Sequence, residues 1–411
     1  MYDGIIVTGG IEQRNKHRPE RLLIFSTVPA ITRNLIWAAG ELAKECVVVT
    51  HKQDAPCFRM PHVRKVILVS QDAVESGNED VLETLEQAAS DEPLLLVPGG
   101  TRSTRLVSRN LDRLAKTFLV YPVANPETFE QLHDKGRFAG LLETFDLPAP
   151  RSVIIRNIGE LESCSVEFPV VAKPVVSEGN KPFEPIPSLQ LLQQHCASQP
   201  PTDAAPVLIQ EYIPGRDIDL SLLAVNGRIL AWTVQQMQPN AVMKFIEHDE
   251  VLKLGSALVE AANYTGVMHL DMRIDDRDKG VKFIEANPRF WGTHCYSTWM
   301  GVDFLSHGAA AARGKGAAFQ PVTGSCPYLG ITRRSLPHIL LGGRAAPAHL
   351  TDRQERSWRF HHRPNNAALR QWISFHQSRT IRIVRLVRGA LARACGVRDK
   401  PARASQRPID K

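Results

Sequence analysis

The sequence predicts an α/β domain followed by an antiparallel α+β body, on three observations. Apolar runs alternate with helical patterns over residues 21–123, as parallel βαβ units require. From residue 124 onward the strands come in turn-linked neighbours instead. The 411 residues, 43% hydrophobic and 23% charged, have ordinary globular composition and suffice for two or three cored domains.

Composition also narrows the function classes. No stretch approaches the roughly 20 consecutive apolar residues of a membrane-spanning helix, and the first residues lack the basic-then-apolar pattern of a secretory signal. A cytoplasmic protein is expected. The seven cysteines are scattered without a CxxC pair, which speaks against a disulfide framework and a zinc site. From His376 onward there are ten Lys or Arg against two Asp, so without this tail the net charge of +7 falls to −1. The basicity belongs to the tail, and nucleic acid is not the expected partner.

Residues 1–20 are polar, weakly periodic and read as an extension. LLIFST (Leu22–Thr27) reads as a buried strand, ITRNLIWAAGELAKE as an amphipathic helix and CVVVT (Cys46–Thr50) as the next strand. VRKVILVS, VLETLEQAAS and LLLVP continue the alternation. The wiring is Rossmann-like, without a dinucleotide fingerprint. Leu106–Ala115 reads as a helix and FLVYPV (Phe118–Val123) as a further strand. PETFEQLHDKGRFAGLLETF reads as one helix, with Pro126 at its start, where a missing N–H is harmless.

SVIIRN and FPVVAKPVV (Phe168–Val176) are predicted strands, SLQLLQQHCA a helix and QPPTDAAP a loop. VLIQEYI, DLSLLAV and ILAWTVQQM alternate around turns, with Asn226-Gly227 a hairpin signal. VLKLGSALVEAAN is a helix, and MHLDMRIDD with VKFIEAN forms a hairpin across Asp276–Gly280.

That last hairpin carries the chemistry. Glu285 and Asn287 stand two residues apart and so share a face of their strand. Pairing around Lys279-Gly280 lets Asp271 face them from the neighbouring strand. Three oxygen ligands on one sheet face suit Mg²⁺, which completes its shell with phosphate oxygens. Acidic residues flanking a hairpin for solubility is the plainer alternative.

FIEANPRFWGT resembles the closing metal-binding motif of ATP-grasp enzymes, in which Glu-x-Asn-Pro-Arg ends the ATP site. Other landmarks, similar to those of members such as the carbamoyl-phosphate synthase large chain, precede it in the family's order, and the resemblance covers about residues 20–310. The resemblance implies an ATP-grasp fold: a Rossmann-like pre-ATP-grasp domain (21–123), an ATP-grasp domain (124–310, lid about 150–212) and a C-terminal region (311–411) with a basic helical extension. It implies ATP and Mg²⁺, with Mn²⁺ an alternative. DKGRFAGLLETF resembles the segment that supplies the first nucleotide-binding lysine, here Lys135, and FPVVAKP the strand whose lysine reaches the α- and β-phosphates, here Lys173. LIQEYIPGRDIDLSLL resembles the hinge that holds adenine, with Glu211 and Ile213 acting largely through backbone groups. Asp217, or its rival Asp219, would take the ribose hydroxyls, and Lys244 a further phosphate contact. Metal binding would fall to Asp271, Glu285 and Asn287.

The implied reaction moves the γ-phosphoryl group onto a substrate carboxylate, after which an amine displaces phosphate. Arg289 is the candidate for the reacting centre, since a guanidinium fork can hold a carboxylate and stabilise developing negative charge. His269 stands where some relatives carry a phosphate-facing arginine, so Arg273 or Arg289 would do that work. The lid loop Ser177-Glu178-Gly179-Asn180-Lys181 departs from the usual glycine-rich form. His294 and Cys295 show no partner with triad logic and read as buried structure.

Small-molecule acids and amines are the expected partners, and a homodimer is a further expectation from relatives. In the tail, Arg379, Arg382, Arg385 and Arg388 interleave with apolar residues, so residues 376–398 read as a basic amphipathic helix. It can pack on the body or a partner protein, or lie on the inner membrane face. Three other function classes stay open: a non-catalytic ATP-binding module, a carboxylating or acyl-thiol ligase, and a membrane-surface protein working through its tail.

Overall fold

The structure, a computed structural model, describes residues 21–43, 45–51, 58, 60–89, 94–176, 184–238 and 242–327. Two compact units divide the chain, Met1–Gly330 and Ile331–Lys411, and every described residue lies in the first. The expected extension at 1–20, the loop at 177–181 and the basic helix at 376–398 fall outside the described residues.

The first sheet holds β1 (Arg21–Ser26), β2 (Glu45–Thr50), β3 (Val63–Leu68), β4 (Leu95–Gly99) and β5 (Leu119–Val120). Its order is β3-β2-β1-β4-β5 and all its pairs are parallel. Such a sheet buries both faces, and Leu22, Leu23, Ile24, Phe25, Leu95 and Leu96 are accordingly buried. Helices α1 (Pro29–Leu42), α2 (Gln71–Ser76), α3 (Glu79–Ala88), α4 (Thr101–Arg109) and α5 (Leu111–Leu114) connect and cover it. FLVYPV shrinks to the two residues of β5, and the helix expected from Leu106 begins at Thr101 and breaks at Asn110. The early start matters. A positive φ of 87° at Gly100, with Val28 Cγ2 only 2.6 Å from where a Cβ would stand, turns the chain from β4 straight into α4.

The single helix expected after Pro126 is two, α6 (Pro126–His133) and α7 (Lys135–Thr144). Asp134 is the cause: its backbone is extended and its carboxylate accepts the N–H of Arg137 at 2.8 Å, capping α7. The break makes Lys135 the first residue of a helix and buries it.

A three-stranded antiparallel sheet follows in the order β6-β8-β7, from β6 (Ser152–Ile155), β7 (Val170–Pro174) and β8 (Val207–Glu211). Its core includes Val170, Ala172, Ile209 and Leu192, the last from helix α8 (Leu189–Ser198). The third sheet joins β9 (Gly215–Val225), β10 (Arg228–Gln238), β11 (Val242–Ile246), β12 (Gly266–Asp275), β13 (Val281–Asn287) and β14 (Gly324–Pro327) in the order β13-β12-β9-β10-β11-β14. Alternation sends Leu220, Leu222, Val234, Leu270 and Phe283 to one face. There they pack with α6, α7 and α9 (Asp249–Ala261) through Phe129, Phe138, Leu258 and Val259. Helices α10 (His294–Met300) and α11 (Phe304–Ala312) follow β13. β14 then returns to pair with β11, beyond residue 310, where GSCP has no apolar run to announce a strand.

Candidate active site

The β12–β13 hairpin pairs Asp271 with Glu285 and His269 with Asn287, as the turn at Lys279-Gly280 requires. Asn287 Nδ2 donates to Asp271 Oδ2 at 3.0 Å, so the three expected metal-ligating side chains share one face. Two carboxylates and a side-chain amide are the donor set of a hard divalent cation, and Asp271 remains 41% exposed to admit one. Burial raises the pKa of Glu285, opposed by the charge of Lys135.

Both expected phosphate lysines are buried, Lys135 at 4% and Lys173 at 6% exposure. Lys135 Nζ lies 3.4 Å from Glu285 Oε1, so the start of α7 meets the acidic row at the edge strand β13. Lys173 Nζ donates to Gln210 Oε1 at 2.8 Å, and Gln210 Nε2 in turn donates to Ser152 Oγ at 3.1 Å. Burial pulls Lys173 down to about 8, with Glu285 and Asp271 pulling it back up. A cation held at that burial is placed to answer a polyanion.

Arg289 bridges two parts of the fold. Its Nη2 donates to Asn287 Oδ1 at 2.9 Å and its Nε to Thr101 Oγ1, the first residue of α4, at 2.8 Å. The guanidinium thus stands between the acidic row and the C-terminal end of the parallel sheet, where open α/β sheets bind ligands.

Arg273 is not brought to that centre. Its partner in the β9–β12 register is Asp217, with which it forms an ion pair; its Nη2 donates to Gly215 O at 2.8 Å, and its guanidinium lies 5.7 Å from the Tyr212 ring centroid. Gly215 lets β9 approach β12 closely, since an added Cβ there would stand 1.9 Å from Ile274 O. Asp217, expected at the ribose, is 72% exposed and shares its carboxylate with Arg273.

In the segment expected to hold adenine, Glu211 N–H donates to Arg151 O at 2.8 Å and its side chain pairs with Arg277 at 2.7 Å, while Ile213 is buried. Lys244 is also not gathered in. It pairs with Gln236, whereas Phe245 pairs with Gln235, so alternation puts Lys244, exposed, on the reverse face from Gln235.

His269 is the centre of a network the sequence did not disclose. Its Nε2 lies 3.3 Å from Asp271 Oδ1 and its Nδ1 is 2.9 Å from Ser221 Oγ, to which Gln235 Nε2 donates at 3.0 Å. The ring stacks on Trp291 at 5.4 Å. Burial lowers the His269 pKa, but the hydrogen bond and charge of Asp271 and the charge of Asp219 outweigh it and raise the pKa overall. Burial pushes the Asp219 carboxyl above its ordinary range, with His269 opposing. The polar alternation Asp217, Asp219, Ser221 was visible in the sequence; the roles of Gln210, Gln235 and Thr101 had no such signal. Burial lifts the Cys295 thiol far above its ordinary range and pulls His294 down to about 4, consistent with a structural place for both.

Comparisons with known proteins show what the chain resembles. A family described as ATP-grasp in the biosynthetic pathway with Ter operon matches residues 203–327. The chain is therefore similar to ATP-grasp proteins and is an enzyme. D-aspartate ligase of Enterococcus faecium is 24% identical over 292 residues, 63% of this chain and 69% of that protein. The carbamoyl phosphate synthase large chain of Clostridium acetobutylicum is 20% identical over 62% of this chain, which spans only 24% of that much longer protein. Among solved structures, an L-amino acid ligase from Bacillus licheniformis aligns with a TM-score of 0.57 at 15% identity, over 72% of this chain and 74% of that one. The MgADP-bound biotin carboxylase domain from Hydrogenobacter thermophilus aligns at 0.58 and 16% identity, over 74% and 73%. Among the described residues no helix is long and apolar enough to cross a membrane.

Proposed function

We propose that this enzyme joins a carboxylic acid to an amine, activating the acid with ATP as an acyl phosphate. The observation that carries the reading is the run of contacts Thr101–Arg289–Asn287–Asp271, which links the parallel sheet to the acidic row. A substrate held at the end of the parallel sheet would meet the γ-phosphate at Arg289. The names of two relatives, a D-aspartate ligase and an L-amino acid ligase, favour an amino acid as one reactant.

In this reading residues 124–310 hold ATP, with the lid near 150–212, and residues 21–123 form much of the acid pocket. The Glu211–Ile213 hinge meets adenine, and Asp217 meets the ribose. Lys173 and Lys135 face the phosphates as buried point charges. Mg²⁺, which the oxygens of Asp271, Glu285 and Asn287 fit, would neutralise phosphate charge when bound; Mn²⁺ fits the same oxygens. A carboxylate oxygen of the acid attacks the γ-phosphorus, the bond to the β-phosphate oxygen breaks, and ADP leaves. The amine nitrogen then attacks the acyl carbon, the carbon–oxygen bond to phosphate breaks, and the amine loses a proton. Arg289 holds the carboxylate and stabilises the tetrahedral oxyanion. Arg273 acts at the ribose end, steering Asp217.

The test is product analysis with Mg-ATP, pooled carboxylates and pooled amines. ADP and phosphate formation that depends on both pools supports the ligase. ADP formation that needs bicarbonate or a thiol in place of the amine would point to a carboxylating or acyl-thiol enzyme. Bound ATP without turnover in any pool would favour a binding module.

A further inference from the structure

Asp219, His269 and Asp271 each bring one ligand atom to within 4.8 Å of the others. Only Asp271 belongs to the acidic row already described. Across the sheet, Asp219 stands opposite Asp271 on β12 and opposite Gln235 on β10. A row Glu285–Asp271–Asp219–Gln235 therefore crosses four strands.

Two observations single this cluster out from a mere collection of acids. First, it contains an imidazole poised as a ligand. His269 Nδ1 is held by Ser221 Oγ at 2.9 Å, which leaves Nε2 directed to the carboxylate side, 3.3 Å from Asp271 Oδ1. Ligating histidines are oriented in this way, by a hydrogen bond to the other ring nitrogen. Adjacent ligands of a six-coordinate ion with bonds of about 2.1 Å lie about 3 Å apart and opposite ones about 4 Å, so small adjustments suffice. Second, Gln235 is fully buried, its Nε2 is engaged by Ser221, and its Oε1 has no hydrogen-bond partner among the described residues. Gln235 itself stands opposite Asp219 across the β9–β10 pair. Asp219 meanwhile makes no ion pair with Lys or Arg among the described residues, and faces the like charges of Asp271 and Asp217.

We propose that Asp219, His269 Nε2 and Asp271 hold a divalent cation of their own, with Gln235 Oε1 turned towards it, beside the Asp271–Glu285–Asn287 row. One nitrogen among oxygen donors shifts preference away from Mg²⁺ towards first-row ions such as Mn²⁺. The bound ion fixes the imidazole tautomer with the proton on Nδ1, donated to Ser221 Oγ. The site does not depend on which acid or amine the enzyme uses.

The experiment titrates the full-length, nucleotide-free protein with Mn²⁺ and follows it by pulsed electron paramagnetic resonance. Expected is a class of bound Mn²⁺ coupled to an imidazole nitrogen, which persists in excess Mg²⁺ and loses its coupling in His269→Asn. Asp219→Asn should weaken that class about 10-fold or more. Glu285→Gln should retain the nitrogen coupling while losing turnover, which separates this site from the ligase reading. No nitrogen coupling in the unaltered protein would overturn the proposal, as would coupling that survives His269→Asn. The first of these is read before any variant is made, so a variant that fails to fold leaves the test intact.

Discussion

The arginines of α4 and α5 and the lysines near β13 carry the same charge and reach opposite situations. Arg102 and Arg105 pair with Glu75, Arg105 and Arg109 with Glu130, and Arg113 with Glu79 and Glu86, all on or near the surface of the parallel-sheet half. Lys135 and Lys173 are buried, one against the acidic row and one against a neutral glutamine amide. The first set completes its charge balance within the fold. The second concentrates cations and carboxylates where a nucleotide and a metal would complete it. Density of charge in a sequence therefore marks no site by itself; charge retained in the interior does.

The contrast breaks first at Glu285. The variant Glu285→Gln keeps the shape and removes the charge, and should lower turnover at least about 100-fold, as disturbing a metal site does. Near-normal rates by a coupled ADP assay would show that the acidic row is not the working end. Next is Lys173→Ala, which removes a buried cation and should weaken ATP binding about 10- to 100-fold by calorimetry. An unchanged affinity would make Lys173 structural, like the arginines of α4.

A pH series sharpens the same point. The Lys173 ammonium group, pulled down to about 8 by burial, loses its proton as pH rises through that value in the nucleotide-free protein. ATP affinity should therefore hold below pH 8 and decline above it, and that decline should be absent from Lys173→Ala.

Some of this was legible beforehand. The acidic row could be read because strand periodicity and one turn fix which side chains share a face, and Asp271 does oppose Glu285. The lysine on β7 could be read from a cation inside an apolar run. Lys244 and Arg273 could not be placed from spacing alone, because their surroundings depend on strand neighbours that are distant in sequence. The break between α6 and α7 was hidden by a continuous helical pattern, although Asp134 is a good capping residue. β14, a short edge strand without apolar signal, had no local cause to betray it.

Smaller effects test the other side of the comparison. Arg289→Lys loses the fork that reaches both Asn287 and Thr101, and should lower kcat/KM for the acid about 10-fold with little change in ATP affinity. Equal losses for acid and ATP would move Arg289 from the reacting centre to the fold. Smallest is Arg105→Ala, which removes a bidentate pair with Glu130 and packing on Phe129. It should cost about 1 kcal/mol of stability by denaturant titration and leave turnover unchanged.

The most direct test of the acyl phosphate follows an oxygen atom. The acid selected from the pools, labelled with ¹⁸O in its carboxylate, would be turned over with ATP and the amine, and the released phosphate examined by mass spectrometry. The account predicts ADP together with phosphate carrying one ¹⁸O, handed over when the carboxylate captures the γ-phosphoryl group. Unlabelled phosphate, or AMP with pyrophosphate, would contradict it.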